Sequence, residues 1–442
     1  MKKSRLFRAL FAASLCLCLT GCRTDAPIGP EKLTLIIKTP PISLGNVPGV
    51  GEAEAADLLT AAAERFQAQY DTYDVEFVVS RYDYLDEQAQ LADKYGTAEA
   101  ADLFFSGSWN TPLYAKRGWL VPLDDIIDDE LRADINPSIW MQNSIGGQVY
   151  TMPFHQLQNT LMVNRAMMEA AGLEEYIPPD DAIAHWTTEE FSHICWTLAE
   201  ALTDENTFAF MMYAANSQGD NHIMTLLRAY GCPLYDEHGN FKVNTPEGIQ
   251  ALAWIKDMDK QGITPRGAEN LELLDCINLF YNRQLAICIG NLTNLWDARA
   301  KGLDVFAVNF PSLTGEGYCT TSANGFCVFD NGDERKIQAA KDFLRFIYTD
   351  ETLMRYTLGT LPVNDSITEQ YQDEIWMLKA YGENTSNTVD NIQNNLNWQG
   401  VRNVFYPLIG DLLAGTKSPE QAAVGIDMNC NAALEQGRAA NG

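Results

Sequence analysis

The chain has 442 residues and a formal net charge of −28, with 59 acidic against 31 basic side chains. So acidic a surface repels phosphate backbones, and no cluster of Lys and Arg offers a local exception, so nucleic acid is excluded as a partner. The length exceeds what one compact core serves, and two lobes or domains are expected.

The chain opens on a basic head, MKKSRLFR, then the apolar run ALFAASLCLCL, then LTGC at 19–22. The run from Ala9 to Leu19 is eleven residues, whereas a membrane-spanning helix needs about 20. Basic head, short apolar core and small residues before a cut make an export signal. Leu19-Thr20-Gly21-Cys22 resembles a bacterial lipobox, which implies cleavage before Cys22 and acylation of its thiol. An ordinary signal peptide that happens to hold a cysteine is the competing reading. Residues 1–21 are therefore expected to be removed, which takes the net charge to −32, since that segment carries four basic residues and no acid. Residues 22–31, polar with Pro and Gly, read as a flexible spacer.

KLTLIIK (32–38) reads as a buried first strand and TPPISLGNVPGVG as a loop. EAADLLTAAAERFQAQY places Leu58, Leu59, Ala62 and Phe66 on one helical face. DVEFVVS (74–80) is a second strand, LDEQAQLADKYG a second helix and ADLFFSG (101–107) a third strand. Strand alternating with helix argues for a mostly parallel sheet covered on both faces. The pattern resumes with WTTEEFSHICWTLAEAL, opened by a Thr187/Glu190 capping box and burying Phe191, Ile194, Leu198 and Leu202. TFAFMMYAA is a strand. NTPEGIQALAWIKDMDKQG is a helix capped by Asn244 or Thr245, with Pro246 at its start and Gly262 at its end. QLAICIG is another strand and DERKIQAAKDFLRFIY another amphipathic helix.

Catalytic and metal patterns are missing. There is no GxSxG elbow, no GxxxxGK[ST] loop and no HExxH pair. His155, His185, His193, His222 and His238 are scattered, and no metal or cofactor site is suggested. DEHGN (236–240) lacks the alternating ligands of a calcium loop and reads as a hairpin turn before FKV. Beyond Cys22, seven cysteines remain without CxxC spacing. Cys288 and Cys327 lie in apolar runs and read as small buried hydrophobes.

Several stretches then fall in a familiar order. ADLFFSGSWNTPLYAKRGWLVPLDDII, GGQVYTMPFHQLQNTLMVNRAMMEAAGL, WTTEEF, FYNRQLAICIG, FPSLTGEG, TTSANGFCVFD, KDFLRFIYTDE and LPVNDS succeed one another along the chain. In that order the chain resembles extracellular solute-binding proteins of the maltose-type class, over nearly all of residues 32–425. The resemblance implies an α/β, two-lobed periplasmic-binding-protein-like fold (type II), with hinge-connected lobes and an interlobe cleft. It implies lobe 1 from 32–153 plus 323–350 and lobe 2 from 154–322 plus 351–442, with crossings near Phe154–His155, Thr320–Ser322 and Thr349–Glu351. It further implies a monomeric receptor, not an enzyme, that closes on a mono- or oligosaccharide. The receptor would deliver that ligand to an ABC permease from the outer face of the cell membrane, held there by lipid on Cys22.

Sugars offer polar rims and apolar ring faces, so the site calls for amides, charged planes and aromatic platforms on loops at strand ends. The candidates are Thr39 after the first strand; Ser108, Trp109 and Asn110 after the third; and Phe154, His155, Gln156 and Gln158 in the crossing segment. Asn291, Trp296, Asn324 and Trp398 follow, with Asn294, Asn216 and Asn221 at lower weight. Where sugar binders often carry G-x-W, this chain has Gly290-Asn291-Leu292, so the usual ring platform is displaced or lost. Core packing competes with ligand contact for every aromatic named. The rivals are a polyamine binder using Asp102 and Asp297, a secreted carbohydrate-active enzyme with paired carboxylates, and an adhesive surface lipoprotein.

Overall fold

The computed structural model describes residues 30–83, 86–393 and 395–440. The export signal, Cys22 and nearly all of the spacer lie outside them. Among the described residues no helix is long and apolar enough to cross a membrane.

One eleven-stranded mixed sheet runs through the molecule. Lys32–Thr39 pairs in parallel with Asp74–Arg81, Lys32 opposite Asp74, and with Leu103–Gly107, Ile37 opposite Leu103. The two longest strands, Met152–Asn164 and Cys319–Val328, lie antiparallel to each other from Phe326/Met152 to Thr320/Asn159, with a register shift at Asn324/Gly325. Leu103–Gly107 pairs with the far end of Cys319–Val328, and Leu285–Gly290 and Val305–Val308 flank the far end of Met152–Asn164. The first long strand thus passes from one hydrophobic core to another. Met152 and Phe154 sit in a core with Leu35, Phe105, Phe326 and Phe343, whereas Leu161 to Val163 sit in one with Phe191, Phe210, Ile287 and Phe405. These are the two lobes. The chain changes cores again near residue 357: Tyr356 belongs to the first, Leu358 and Leu361 to the second, and Val363 to the first.

Most periodic segments form the expected elements: helices Ala55–Gln67, Thr188–Ala201, Pro246–Lys260 and Glu334–Thr349, and strand Leu285–Gly290. The Thr187/Glu190 capping box closes, with Glu190 N–H donating to Thr187 Oγ1 at 3.1 Å and Thr187 N–H to Glu190 Oε2 at 2.7 Å. Thr245, not Asn244, caps the later helix, accepting from Gly248 N–H at 3.1 Å. The turn 236–240 joins two short antiparallel strands, Leu234–Tyr235 and Phe241–Lys242.

Four expectations are corrected. The sheet is mixed rather than mostly parallel, because residues 152–164 stay extended through both lobes and pair antiparallel on both sides. Of the stretch 86–96 only a single wide turn forms, Gln88–Ala92, in which Leu91 is the one buried residue, and no apolar stripe exists to hold a longer helix. Residues 43–54 are a hairpin, Ser43–Val47 against Gly51–Glu54, and not a plain loop. In TFAFMMYAA only Phe208–Phe210 pairs as a strand; the buried remainder ties its backbone to Ile287 and Ala268.

Candidate functional site

Side chains alternate along a strand, so the first long strand offers two faces where it passes between the lobes. Gln156, Gln158 and Thr160 point one way, into a buried polar network. Gln158 Nε2 donates to Tyr381 O at 3.0 Å and to Thr385 Oγ1 at 3.2 Å, and Gln158 Oε1 accepts from Asn384 Nδ2 at 3.2 Å. Asn384 and Asn309 exchange amide bonds at 2.8 and 3.0 Å, and Thr160 Oγ1 lies 2.7 Å from Tyr381 Oη. His155, Leu157 and Asn159 take the opposite face, opposite Asn324, Ser322 and Thr320. His155 Nε2 is 3.2 Å from Asn324 Nδ2, and Asn159 Nδ2 donates to Thr320 Oγ1 at 3.2 Å. His155 is fully buried, its Nδ1 lacks a partner among the described residues, and burial pushes its pKa down to about 3.

Beside Asn159 lies a cavity of about 170 Å³, walled by Tyr213, Gln218, Asp220, Asn221, Asn291, Asn294 and Arg402, with Leu273, Ile277 and Ile289 as its apolar side. Three local devices position these groups. Asn291 and Asn294 cap the helix Leu292–Ala300 reciprocally, at 3.2 and 3.1 Å. Asn216 accepts from Gln218 N–H at 2.9 Å and so orders the turn that presents Gln218 and Asp220. Leu273 and Ile277 are one helical turn apart.

Arg402 Nε lies 2.8 Å from Asp220 Oδ2 and donates to Ser217 O at 3.1 Å. The Asp220 side chain is 5% exposed and that of Arg402 19%. Burial raises the Asp220 pKa while the guanidinium opposes the rise. Breaking such a pair by removing one partner costs about 3–5 kcal/mol. The cavity therefore presents amides, one neutralised ion pair and an aliphatic wall. That is a surface for hydroxyl groups and C–H edges, with no paired carboxylates for acid–base work. Among the described residues no cluster of His, Cys, Asp and Glu is arranged to hold a metal.

The expected residues divide into three sets. Asn291 lines the cavity, with Asn294 and Asn221. The loop Ser108–Asn110 comes from the first lobe and packs on the helix Trp398–Leu413 of the second. Trp109 joins the second lobe's core, and its ring lies over Gly107, where a Cβ would sit 1.7 Å from it. Asn110 Nδ2 donates to Glu87 Oε1 at 2.7 Å, a buried carboxylate whose pKa burial raises. His155 and Asn324 lie on the same strand face as Asn159 and bond each other. The remaining residues point elsewhere. Gln156 and Gln158 belong to the buried network, and Phe154 is core. Thr39 Oγ1 donates to Pro40 O at 2.9 Å. Trp296 Nε1 donates to Trp376 O at 3.0 Å, away from the cavity, and Trp398 is 5% exposed within the second core.

Asn159, Tyr213, Gln218, Asp220 and Arg402 were not anticipated. Two signals pointed to them. Period two from His155 leads to Asn159, and one turn on from Trp398 leads to Arg402.

The model of the family described as bacterial extracellular solute-binding protein matches residues 61–383. Over 191 residues the chain is 23% identical to the mannitol-binding protein of Pseudomonas aeruginosa, covering 42% of this chain and 41% of that protein's length. Among solved structures, the sugar-binding protein MalE of Xanthomonas citri is 14% identical with a TM-score of 0.74, covering 92% of this chain and 99% of that one. The solute-binding protein of Agrobacterium radiobacter in complex with ribitol is 18% identical with a TM-score of 0.70, covering 91% and 99%. The architecture is thus the two-lobed α/β fold of these proteins.

Proposed function

The chain belongs to the bacterial extracellular solute-binding proteins, and from that premise we propose that it is the lipid-anchored receptor of an ABC importer for a mono- or oligosaccharide or a polyol. The observation that carries this is the cavity beside Asn159 of the long strand Met152–Asn164, in which amides and a neutralised Arg402–Asp220 pair face an aliphatic wall. Such a lining suits hydroxyl-rich, uncharged carbon chains and rings. The names of the similar proteins, which bind mannitol, ribitol and sugars, agree with that class.

Ligand held between the lobes stabilises the closed form, because contacts from both sides exist only there. The permease would read that closed form. The lobes are taken as 32–153 plus 323–350 and 154–322 plus 351–442; Leu35, Phe105 and Phe343 in one core and Phe191, Phe210 and Phe405 in the other support that division, while Phe154, Tyr356 and Val363 belong to the first core. Acylation at Cys22 would keep the monomeric receptor at the outer face of the membrane; release of the protein into the medium on Cys22→Ala tests this.

The polyamine and enzyme rivals are weakened. Asp102, needed for a polyamine, is occupied by Lys336 Nζ at 3.0 Å and by Ile36 N–H at 2.8 Å. Asp220 is the single carboxylate of the cavity, so an acid–base pair for glycoside cleavage has no second member. Thermal unfolding across sugars, oligosaccharides, polyols, polyamines and short peptides is the deciding experiment. Stabilisation by saccharides or polyols alone is expected, and stabilisation by polyamines or peptides alone would overturn the reading.

A further inference from the structure

Arg402 and Asp220 are the only charged residues in the cavity wall, and they are bonded to each other. The guanidinium is engaged through Nε alone, by Asp220 Oδ2 and Ser217 O. Its two terminal amino groups have no partner among the described residues. A guanidinium with free terminal donors in a cleft would ordinarily seize a carboxylate in a two-pronged bond. Here a carboxylate is already seated beside it, and the surrounding chain carries a net charge of −28. A second carboxylate arriving with a ligand would lose its water shell and meet a site whose net charge is zero. A hydroxyl oxygen can accept from the same donors without that penalty.

Resting on the receptor reading above, we infer that Asp220 is a positioning residue that sets ligand charge: by neutralising and orienting Arg402, it makes the cleft accept neutral polyhydroxyl compounds and refuse the corresponding sugar acids. The buried geometry supports this division of labour. Asp220 stands at the end of the turn Ser217–Asp220, immediately before the helix Asn221–Ala229, and its side chain is 5% exposed. Arg402 stands on a different helix, one turn after Trp398, and is held at the cavity wall by Asp220 and Ser217. Neighbouring Asn159, Asn221 and Asn294 add donors and acceptors without adding charge.

The test is isothermal titration of the protein with neutral compounds and their own oxidised acids: glucose against glucuronate, and mannitol against mannonate. The wild type should bind at least one neutral member, and at least tenfold more tightly than its acid. Asp220→Asn should move that ratio at least tenfold toward the acid. Arg402→Gln should weaken the neutral ligand at least tenfold without any gain for the acid. A merely structural role for Asp220 would weaken both ligands together and leave the ratio unchanged, which would overturn the inference while leaving the receptor reading intact. Tighter wild-type binding of the acid would overturn it too, and this measurement stands even where Asp220→Asn fails to fold. Silence of the wild type toward all four compounds and their longer-chain relatives would instead remove the receptor reading on which the inference rests.

Discussion

His222 is wholly buried, its ring 3.9 Å from that of Tyr213, and neither nitrogen has a partner among the described residues. Burial pushes its pKa from 6.5 down to about 3. The unfolded chain therefore binds this proton first as pH falls. The stability contribution is complete above about pH 6.5 and is lost down to about pH 3, at about 1.4 kcal/mol per pH unit. His155 behaves alike. Replacing His222 by Leu should remove one of the two slopes. Between pH 7.5 and pH 5 the variant should lose about 2 kcal/mol less unfolding free energy than the wild type. Denaturant titrations at the two pH values measure it, and identical losses would show that the fold does not hold the His222 pKa below that of the unfolded chain. The sequence marks this residue only as a scattered histidine. Its isolation comes from the packing of Tyr213 and the helix Asn221–Ala229, which no local pattern encodes.

At the scale of elements, periodicity is a good guide wherever one face is buried and a poor one where a segment answers to a neighbour. The helix Glu334–Thr349 buries Phe343, Leu344 and Ile347 as its spacing predicts. The hairpin Ser43–Glu54 has no such pattern, and its shape follows from what it touches. Gly45 adopts φ +67°, and a Cβ there would sit 2.1 Å from Gly359 O, to which Thr293 Oγ1 donates at 3.3 Å. A first-lobe hairpin, the 355–359 turn and a second-lobe helix thus meet at one carbonyl. Gly49, also at positive φ (+80°), has open space around it. Gly49→Ala should cost the backbone penalty alone, about 1–2 kcal/mol, and Gly45→Ala at least about 1 kcal/mol more, from overpacking. Equal costs in chemical denaturation would mean that the contact at Gly359 yields easily.

For the whole molecule the question is whether ligand engages both lobes. Binding at 100 times the dissociation constant should stabilise the fold by about 2.7 kcal/mol. Amide exchange should then slow both at Ser108–Asn110 and at Asn291–Asn294, since the first stretch comes from one lobe and the second from the other. Protection confined to one lobe would refute closure as the mechanism.

What the sequence determined by itself is the local and the ordered: the caps, the amphipathic helices, and the succession of stretches that matches the family. These depend on residues within a few positions of one another, or on order alone. The tertiary structure decided which face of the strand Met152–Asn164 borders the cavity, so that Asn159 lines it while Gln158 turns to Tyr381 and Asn384 and Gln156 to Pro362. It also decided that Asp220 meets Arg402 and that Trp296 and Trp398 are spent on packing. Alternation permits either face of a strand to border a site, and only the pairing partners and the layers packed on each side select one. A buried charge likewise needs a counter-charge brought from a distant part of the chain, here Arg402 for Asp220, and that encounter exists only once the segments on either side of residues 323–350 have packed together.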